Sequence, residues 1–353
     1  MSAAAASFHS LHLRRAVLVA PGQLEIRAFI PPRLAAGEIL VQVRCALSCG
    51  TDLKAWRRGH PLWKMPMPLG HEFAGVVADV GAGVGGFAAG DEIMATPTAP
   101  CGACFYCDRG QENLCATAID KMVLGAYGDM LILPAHIVSK NVFSKPHDLP
   151  FEEAALLEPL SCVVHAQAMA MPERHERVLI LGAGPFGLLH MMALRAAGVR
   201  EVAVAGRGDA RLRWAGEMGA DRVIDVRRQD AAAAAAQLNS GFGPDLVIEC
   251  TGQVDGWSDA LARTRRGGRV VLFGGCPPGT SLTVDTRRMH YDGLTMIAPF
   301  HYRLRDVRRS FELLSERRLG AERLITAHRS LNDLADVFAM MDRGTVLKCA
   351  VVP

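Results

Sequence analysis

The run RVLILGAGPFGLLHMMAL, residues 177–194, constrains the fold of this chain more than any other stretch. Val178 to Leu181 are four consecutive apolar residues, the pattern of a strand buried on both faces in a parallel sheet. Gly182, Gly184 and Gly187 follow in the spacing G-x-G-x-x-G, and an apolar helical pattern opens at once with Pro185 and Phe186. The three glycines serve different physical ends. They allow a tight strand-to-helix turn, close approach of backbone to a pyrophosphate, and close packing of helix on strand. The helix N-terminus adds free N–H groups and a positive dipole end for phosphate oxygens. The motif alone is also compatible with a glycine-rich turn that binds nothing. The strand before it and the helix after it favour a dinucleotide site.

The surrounding periodicity agrees. Strand patterns at 177–181, 201–205, 222–226, 245–249 and 269–273 alternate with helical patterns at 185–197, 209–218, 230–238 and 256–265, and 294–300 supplies a sixth strand. This alternation predicts an α/β, doubly wound parallel sheet of the Rossmann type. The chain before it reads differently. Residues 16–30 alternate as strands about a turn at Pro21-Gly22, 38–43 alternate again, and short β-like segments recur at 75–80 and 92–94. The run PFEEAALLEPL then opens a helical stretch near Leu149-Pro150. After Arg305 come a helix at 306–316, a short strand at Ile325, a helix at 331–342 and a last strand at 346–352. A chain of 353 residues is too long for one ordinary core. The expected organisation is a β-rich domain from 1–152 plus 301–353, with a nucleotide-binding domain of 153–300 inserted in it.

A net charge of +3 gives no reason to invoke nucleic acid or a membrane surface. No run approaches the roughly 18 apolar residues of a spanning helix. The N-terminus MSAAAASFHSLHLRR is basic and free of acids, like some targeting peptides. It lacks a continuous apolar segment and a cleavage site, so a frayed extension over the first 15 residues is the expectation.

Four of the ten cysteines, Cys101, Cys104, Cys107 and Cys115, fall within CGACFYCDRGQENLC. Two-residue gaps wrap successive thiolates around one ion, and a seven-residue loop brings the fourth to close a tetrahedron. With all four positions filled, this reads as a structural zinc lobe rather than a set of disulfides, and a reducing cytoplasm is favoured. A second set is dispersed: Cys49 in SCGTD, His71 and Glu72 in LGHEF, Glu158 in LLEPLS. One thiolate, one neutral imidazole and one carboxylate balance the charge of a divalent ion and leave a fourth position open, as catalysis requires. Such an ion lowers the pKa of an alcohol it holds. Singly, each residue reads equally as a core cysteine, a core histidine or a solvated acid, and spacing alone does not decide.

The run from Gly70 fits G-H-E-x2-G-x5-G-x2-V in full (Gly70, His71, Glu72, Gly75, Gly81, Val84). With CGTD, the four-cysteine lobe, FEEAALLEPLS, GAGPFG, IECTG and the terminal LKC, the chain resembles the zinc-dependent medium-chain alcohol dehydrogenases from about Ala16 onward, particularly the sorbitol (polyol) and threonine dehydrogenase branches. The resemblance implies a GroES-like catalytic domain with a Rossmann domain inserted, two zinc ions, a nicotinamide cofactor and a homodimer or homotetramer. It implies Cys49, His71 and Glu158 as catalytic zinc ligands. Glu72 becomes an acid that approaches the metal during ligand exchange, Thr51 the hydroxyl that takes the substrate proton, and His301, beside Tyr302, a substrate-side group. His165 reads as a core histidine. Thr251 with Gly252, and Phe273 with Gly274 and Gly275, border the cofactor.

Two departures from those branches matter. Relatives often carry a relay histidine where Lys54 stands, and polyol enzymes an aromatic residue where Ala55 stands, so the substrate wall is altered. Lys54 either moves the proton or pairs with cofactor ribose or phosphate oxygens, the latter preferred. An NAD enzyme carries an acid at the end of the second strand, about 20 residues past the glycines. In VAVAGRGDARL that place is Gly206, with Arg207 beside it and Arg211 nearby. Loss of the carboxylate and gain of guanidinium groups suit a 2′-phosphate. Asp209 is the competing acid, at a position suited to a helix N-cap. The sequence therefore reads as a zinc-dependent, NADP-preferring oxidoreductase of polar secondary alcohols or ketones. The alternatives are an NAD-dependent threonine-type enzyme or, more remotely, a non-catalytic nucleotide-binding protein on the same scaffold.

Overall fold

The computed structural model of the protein describes residues 13–60 and 63–353. Most of the N-terminal extension, up to residue 12, lies outside the described residues. The chain forms two compact units, one of residues up to 161 with 302–317 and 325–353, the other of 162–301 with 318–324. The division therefore falls inside the helix Leu157–Ala170 rather than at 152. One helical pattern spans residues of both units, so no break in sequence marks the boundary.

The inserted unit is a six-stranded parallel sheet in the order Arg222–Asp225, Glu201–Gly206, Arg177–Leu181, Leu246–Glu249, Arg269–Leu272, Thr295–Ile297. Val178, Leu179, Ile180, Val202, Val204, Val247 and Ile248 are all buried, as runs covered by helices on both faces must be. The strand order reverses at Arg177–Leu181, and open α/β sheets bind ligands at the carboxyl end of such a reversal. The sixth strand stops at Ile297, short of the expected 300, two residues before Pro299, which cannot donate to the ladder.

The other unit is built on a seven-stranded mixed sheet. Ile39–Leu47 is flanked antiparallel by Phe73–Val80, by Met130–Leu133 and by Lys348–Val352. A separate three-stranded sheet joins Arg14–Ala20, Gln23–Ala28 and Met67–Pro68. Phe73, Tyr127 and Phe338 fill the core, with the Phe338 ring 5.7 Å from Trp56 and 6.4 Å from Tyr127. Phe338→Ala is expected to cost about 3–5 kcal/mol of stability, because a fully buried aromatic leaves a cavity. The shift in urea midpoint at unchanged slope measures it. Among the described residues no helix is long and apolar enough to cross a membrane.

Candidate metal centres and dinucleotide site

Strand register brings distant residues together at one end of the mixed sheet. Ala46 pairs with Phe73 and Val351 with Ala46, and the Leu47 N–H donates to the Glu72 carbonyl. Cys49, two residues beyond one strand, therefore meets His71 and Glu72 just before the next, and Lys348 at the start of the third. Cys49 caps the helix Gly50–Arg58, its Sγ accepting from the Thr51 N–H at 3.5 Å. Ligand atoms of Cys49, His71 and Glu72, all buried, lie within 4.8 Å of one another. A soft thiolate, an imidazole and a carboxylate at that spacing fit a zinc ion.

Buried groups hold this cluster in place. Asp52 is fully buried; its Oδ1 lies 3.3 Å from His71 Nδ1, and its Oδ2 accepts from the Tyr127 hydroxyl at 2.9 Å. A carboxylate behind a histidine fixes the ring and leaves Nε2 for a metal. Glu72 Oε2 accepts from Lys348 Nζ at 2.5 Å, while Oε1 is buried with no hydrogen-bond partner. Glu158 is buried in the same unit and acts electrostatically on Lys348, but its carboxylate is not among the atoms gathered within 4.8 Å. Burial opposes charge on His71, yet the charges of Asp52 and Cys49 outweigh it and lift its pKa well above the ordinary value. A metal must displace that proton. Apparent zinc affinity at this site is expected to fall about tenfold per pH unit for the proton on His71 once pH drops below that raised value. Zinc titration against a competing chelator over a pH series checks the slope.

In the lobe, Cys101 Sγ lies 3.9 Å and Cys104 Sγ 3.5 Å from Cys107 Sγ, and Cys115 completes the group within 4.8 Å. Zn–S bonds of about 2.3 Å at tetrahedral angles put sulfurs about 3.8 Å apart. None of the ten cysteines is in a disulfide. Backbone N–H groups of Ala116 and Cys107 hold the Cys104 thiol down to about 6, which presents a thiolate.

The glycine turn has the geometry its sequence demanded. Gly182 has φ +115, and a Cβ on Gly187 would fall 1.9 Å from the Gly182 carbonyl oxygen. Beside Gly184 nothing lies within 4 Å of a would-be Cβ, leaving room for a pyrophosphate at the N-terminus of Pro185–Ala196. Phe186 packs 5.0 Å from Phe273. The buried Glu249 accepts from the N–H groups of Thr251 and Gly252, and Gly274 packs against Gly252.

At the end of the second strand, a Cβ on Gly206 would lie 2.8 Å from that of Ala183, so packing requires glycine there. Arg207 is exposed, and Arg211 has a buried Nε with no partner. Burial, then the charge of Arg207, depress the Arg211 pKa, which an anion between the two would relieve. Asp209 is not the N-cap; Gly208 is, with φ +95, and Asp209 is the first helical residue. Its carboxylate accepts from Arg227 Nη2 at 2.6 Å.

Other expected residues fall as follows. Thr51 is half-buried and Lys54 exposed on the same helix. Ala55 is fully buried in the core, so it belongs there and not to an open substrate wall, because its face of the short helix packs inward. His165 is buried. His301 takes a left-handed φ of +59, and the Tyr302 hydroxyl pairs with Thr98 at 2.7 Å. Asp52, Tyr127 and Lys348 were not anticipated. The available signal was a lysine inside the apolar run VLKCAVV and an acid three residues after Cys49.

A family model for the alcohol dehydrogenase GroES-like domain matches residues 35–144, and one for zinc-binding dehydrogenases matches 185–316. L-threonine 3-dehydrogenase of Aeromonas salmonicida is 30% identical over 89% of this chain and 91% of its own length. Sorbitol dehydrogenase of Bacillus subtilis is 29% identical over 97% and 98%. A structure described as a zinc-binding dehydrogenase from Sinorhizobium meliloti 1021, bound to NADP, superposes with TM-score 0.88 at 28% identity, covering 97% of this chain and 99% of that one. With its glycine turn, gathered thiolates and two-unit architecture, the chain belongs to the zinc-binding alcohol dehydrogenases of the medium-chain superfamily, oxidoreductases acting on a CH–OH group.

Proposed function

We propose that this protein is an NADP-preferring dehydrogenase of polar secondary alcohols, or a reductase of the matching ketones, with polyol- or sugar-like substrates. The observation that supports the cofactor choice is the pair Arg207 and Arg211, with an unpartnered buried guanidinium nitrogen and Asp209 engaged by Arg227. When bound, zinc supplies a Lewis acid to the substrate oxygen and the nicotinamide accepts or supplies the hydride. Cys49, His71 and Glu158 hold the metal, and Asp52 fixes the imidazole of His71 through Nδ1. The Thr51 hydroxyl takes the substrate proton and passes it outward. Lys54 holds cofactor ribose or phosphate oxygens, and His301 orients substrate. Four lobe cysteines hold a second zinc that keeps their loop folded. Lobe thiols kept out of disulfides fit a reducing cytoplasm.

A second reading, NAD-dependent oxidation of an amino alcohol, draws on the similarity to threonine dehydrogenases. Parallel fluorescence titration of the zinc-loaded protein with NADPH and NADH separates the two. NADPH is expected to bind more tightly by at least about tenfold, given two charge-assisted contacts of about 1.5–3 kcal/mol each. Tighter NADH binding, or turnover of threonine above that of polyols, would overturn the first reading in favour of the second.

A further inference from the structure

Among the described residues no carboxylate balances the charge of Arg15. It lies on the strand Arg14–Ala20, directly opposite Arg27 in the antiparallel hairpin with Gln23–Ala28. Like charges facing one another across a strand pair are unfavourable. Arg27 is relieved by Glu25, whose carboxylate accepts from its Nε at 2.8 Å, and Arg14 pairs with Asp129 at 3.2 Å. The Arg15 guanidinium has no hydrogen bond or ion pair among the described residues, and the remaining residues, 1–12 and 61–62, contain no acid. Its Cζ sits over the Phe29 ring, 4.3 Å from the centroid. A ring face supports a cation but carries no net charge to balance it. Burial, unopposed by any acid, lowers the Arg15 pKa. Beside it lies a cavity of 540 Å³, within the range of small-molecule sites. Phe29, Ile30, Leu124, Met130, Leu131 and Ile132 give it apolar walls, and Arg15 is the one charged group among the described residues that line it. Its Gly125 edge is fixed by backbone, since the N–H groups of Gly125 and Ala126 donate to the Gly70 carbonyl at 3.0 and 3.1 Å. None of Cys49, His71, Glu72 or the lobe cysteines lines it, so the metal centres give this cavity no role.

We propose that this cavity is a second ligand site, which binds a monocarboxylate with an apolar body, of the kind of a medium-chain fatty acid. The ligand's carboxylate accepts from the Arg15 guanidinium, and its tail lies along Leu124, Met130, Leu131 and Ile132. The chemistry of the lining selects that class. A guanidinium meets a carboxylate with two parallel N–H···O bonds, which an ammonium or a hydroxyl ligand cannot accept. Apolar walls reward a hydrocarbon tail by removing it from water. A sugar or a sugar phosphate would bring hydroxyl groups to walls that offer them few partners, at the cost of their desolvation. A phosphate dianion would carry more charge than one guanidinium matches. Binding also removes the unfavourable facing of Arg15 and Arg27, because the bound anion supplies to Arg15 what Glu25 supplies to Arg27.

The test is calorimetric titration of the full-length, zinc-loaded protein with decanoate. Decanol and decyltrimethylammonium, which keep the tail and remove or reverse the charge, are titrated in parallel. Decanoate is expected to bind at a single site at least about tenfold more tightly than decanol, the worth of one charge-assisted hydrogen bond, and the ammonium compound more weakly than either. Arg15→Met brings decanoate level with decanol. Ile132→Trp, which fills the cavity and leaves the charge, weakens decanoate and decanol together. Absence of decanoate binding to the native protein overturns the proposal. So does native decanoate affinity in a folded Arg15→Met protein, which would place the carboxylate elsewhere, on a metal centre for example. If Arg15→Met does not fold, Ile132→Trp decides: loss of decanoate binding at an unchanged thermal midpoint supports the site, and native affinity overturns it.

Discussion

Cys49→Ala is expected to lower kcat by about 10³-fold or more while leaving the lobe zinc in place, so that metal content falls from two ions to one per chain. Lewis-acid stabilisation of developing charge is worth several kcal/mol, and each 1.4 kcal/mol or so is a factor of ten in rate. The structural reason for a large effect is that no neighbour can take over. His71 and Glu72 share the cluster, but Glu72 is held by Lys348 and His71 by Asp52. Cys49 is also the residue that caps the helix Gly50–Arg58, its Sγ accepting from the Thr51 N–H. Alanine keeps the turn but removes that cap, so thermal unfolding is to be measured alongside. A folded variant with one metal and native turnover would show that the Cys49 cluster is not the reaction centre. A variant with two metals and low turnover would place the thiolate's role elsewhere than in holding the ion.

The second large effect concerns the cofactor. Arg207→Ala combined with Arg211→Ala is expected to weaken NADPH by about 100-fold and to leave NADH within about threefold. Each lost charge-assisted contact costs about 1.5–3 kcal/mol, and only NADPH carries the 2′-phosphate that makes them. Placing an acid at residue 206 is a poorer test of the same idea. A side chain there meets Ala183, so Gly206→Asp would disturb the glycine turn whatever the cofactor. Parallel titrations of the double variant give the ratio directly. Equal loss of both cofactors would mean that the two arginines support the strand end and do not select the phosphate.

Much of this molecule is written in short stretches of sequence. The Rossmann unit was legible because Val178 to Leu181, Gly182, Gly184 and Gly187 specify a strand, a turn and a helix within one local window. Backbone sterics at Gly182 and close packing at Gly187 act over a few residues. The lobe was legible for the same reason, since four cysteines within a single loop can reach one ion without the rest of the fold. Where helical pattern runs on without a break, as through Leu157–Ala170, the sequence concealed the point at which one core gives way to the other. Ala55 likewise could not be sorted between core and pocket until the face of its helix was known. The support of the Cys49 cluster was the least legible part. Asp52 meets Tyr127 across 75 positions, and Glu72 meets Lys348 across 276. Sequence alone singled out candidates for holding metal and dinucleotide, because those preferences reside in side-chain chemistry and local backbone geometry. Only the tertiary structure decided which buried charges stand behind them, because antiparallel register sets which strand ends meet, and burial makes an unpaired charge too costly to leave alone.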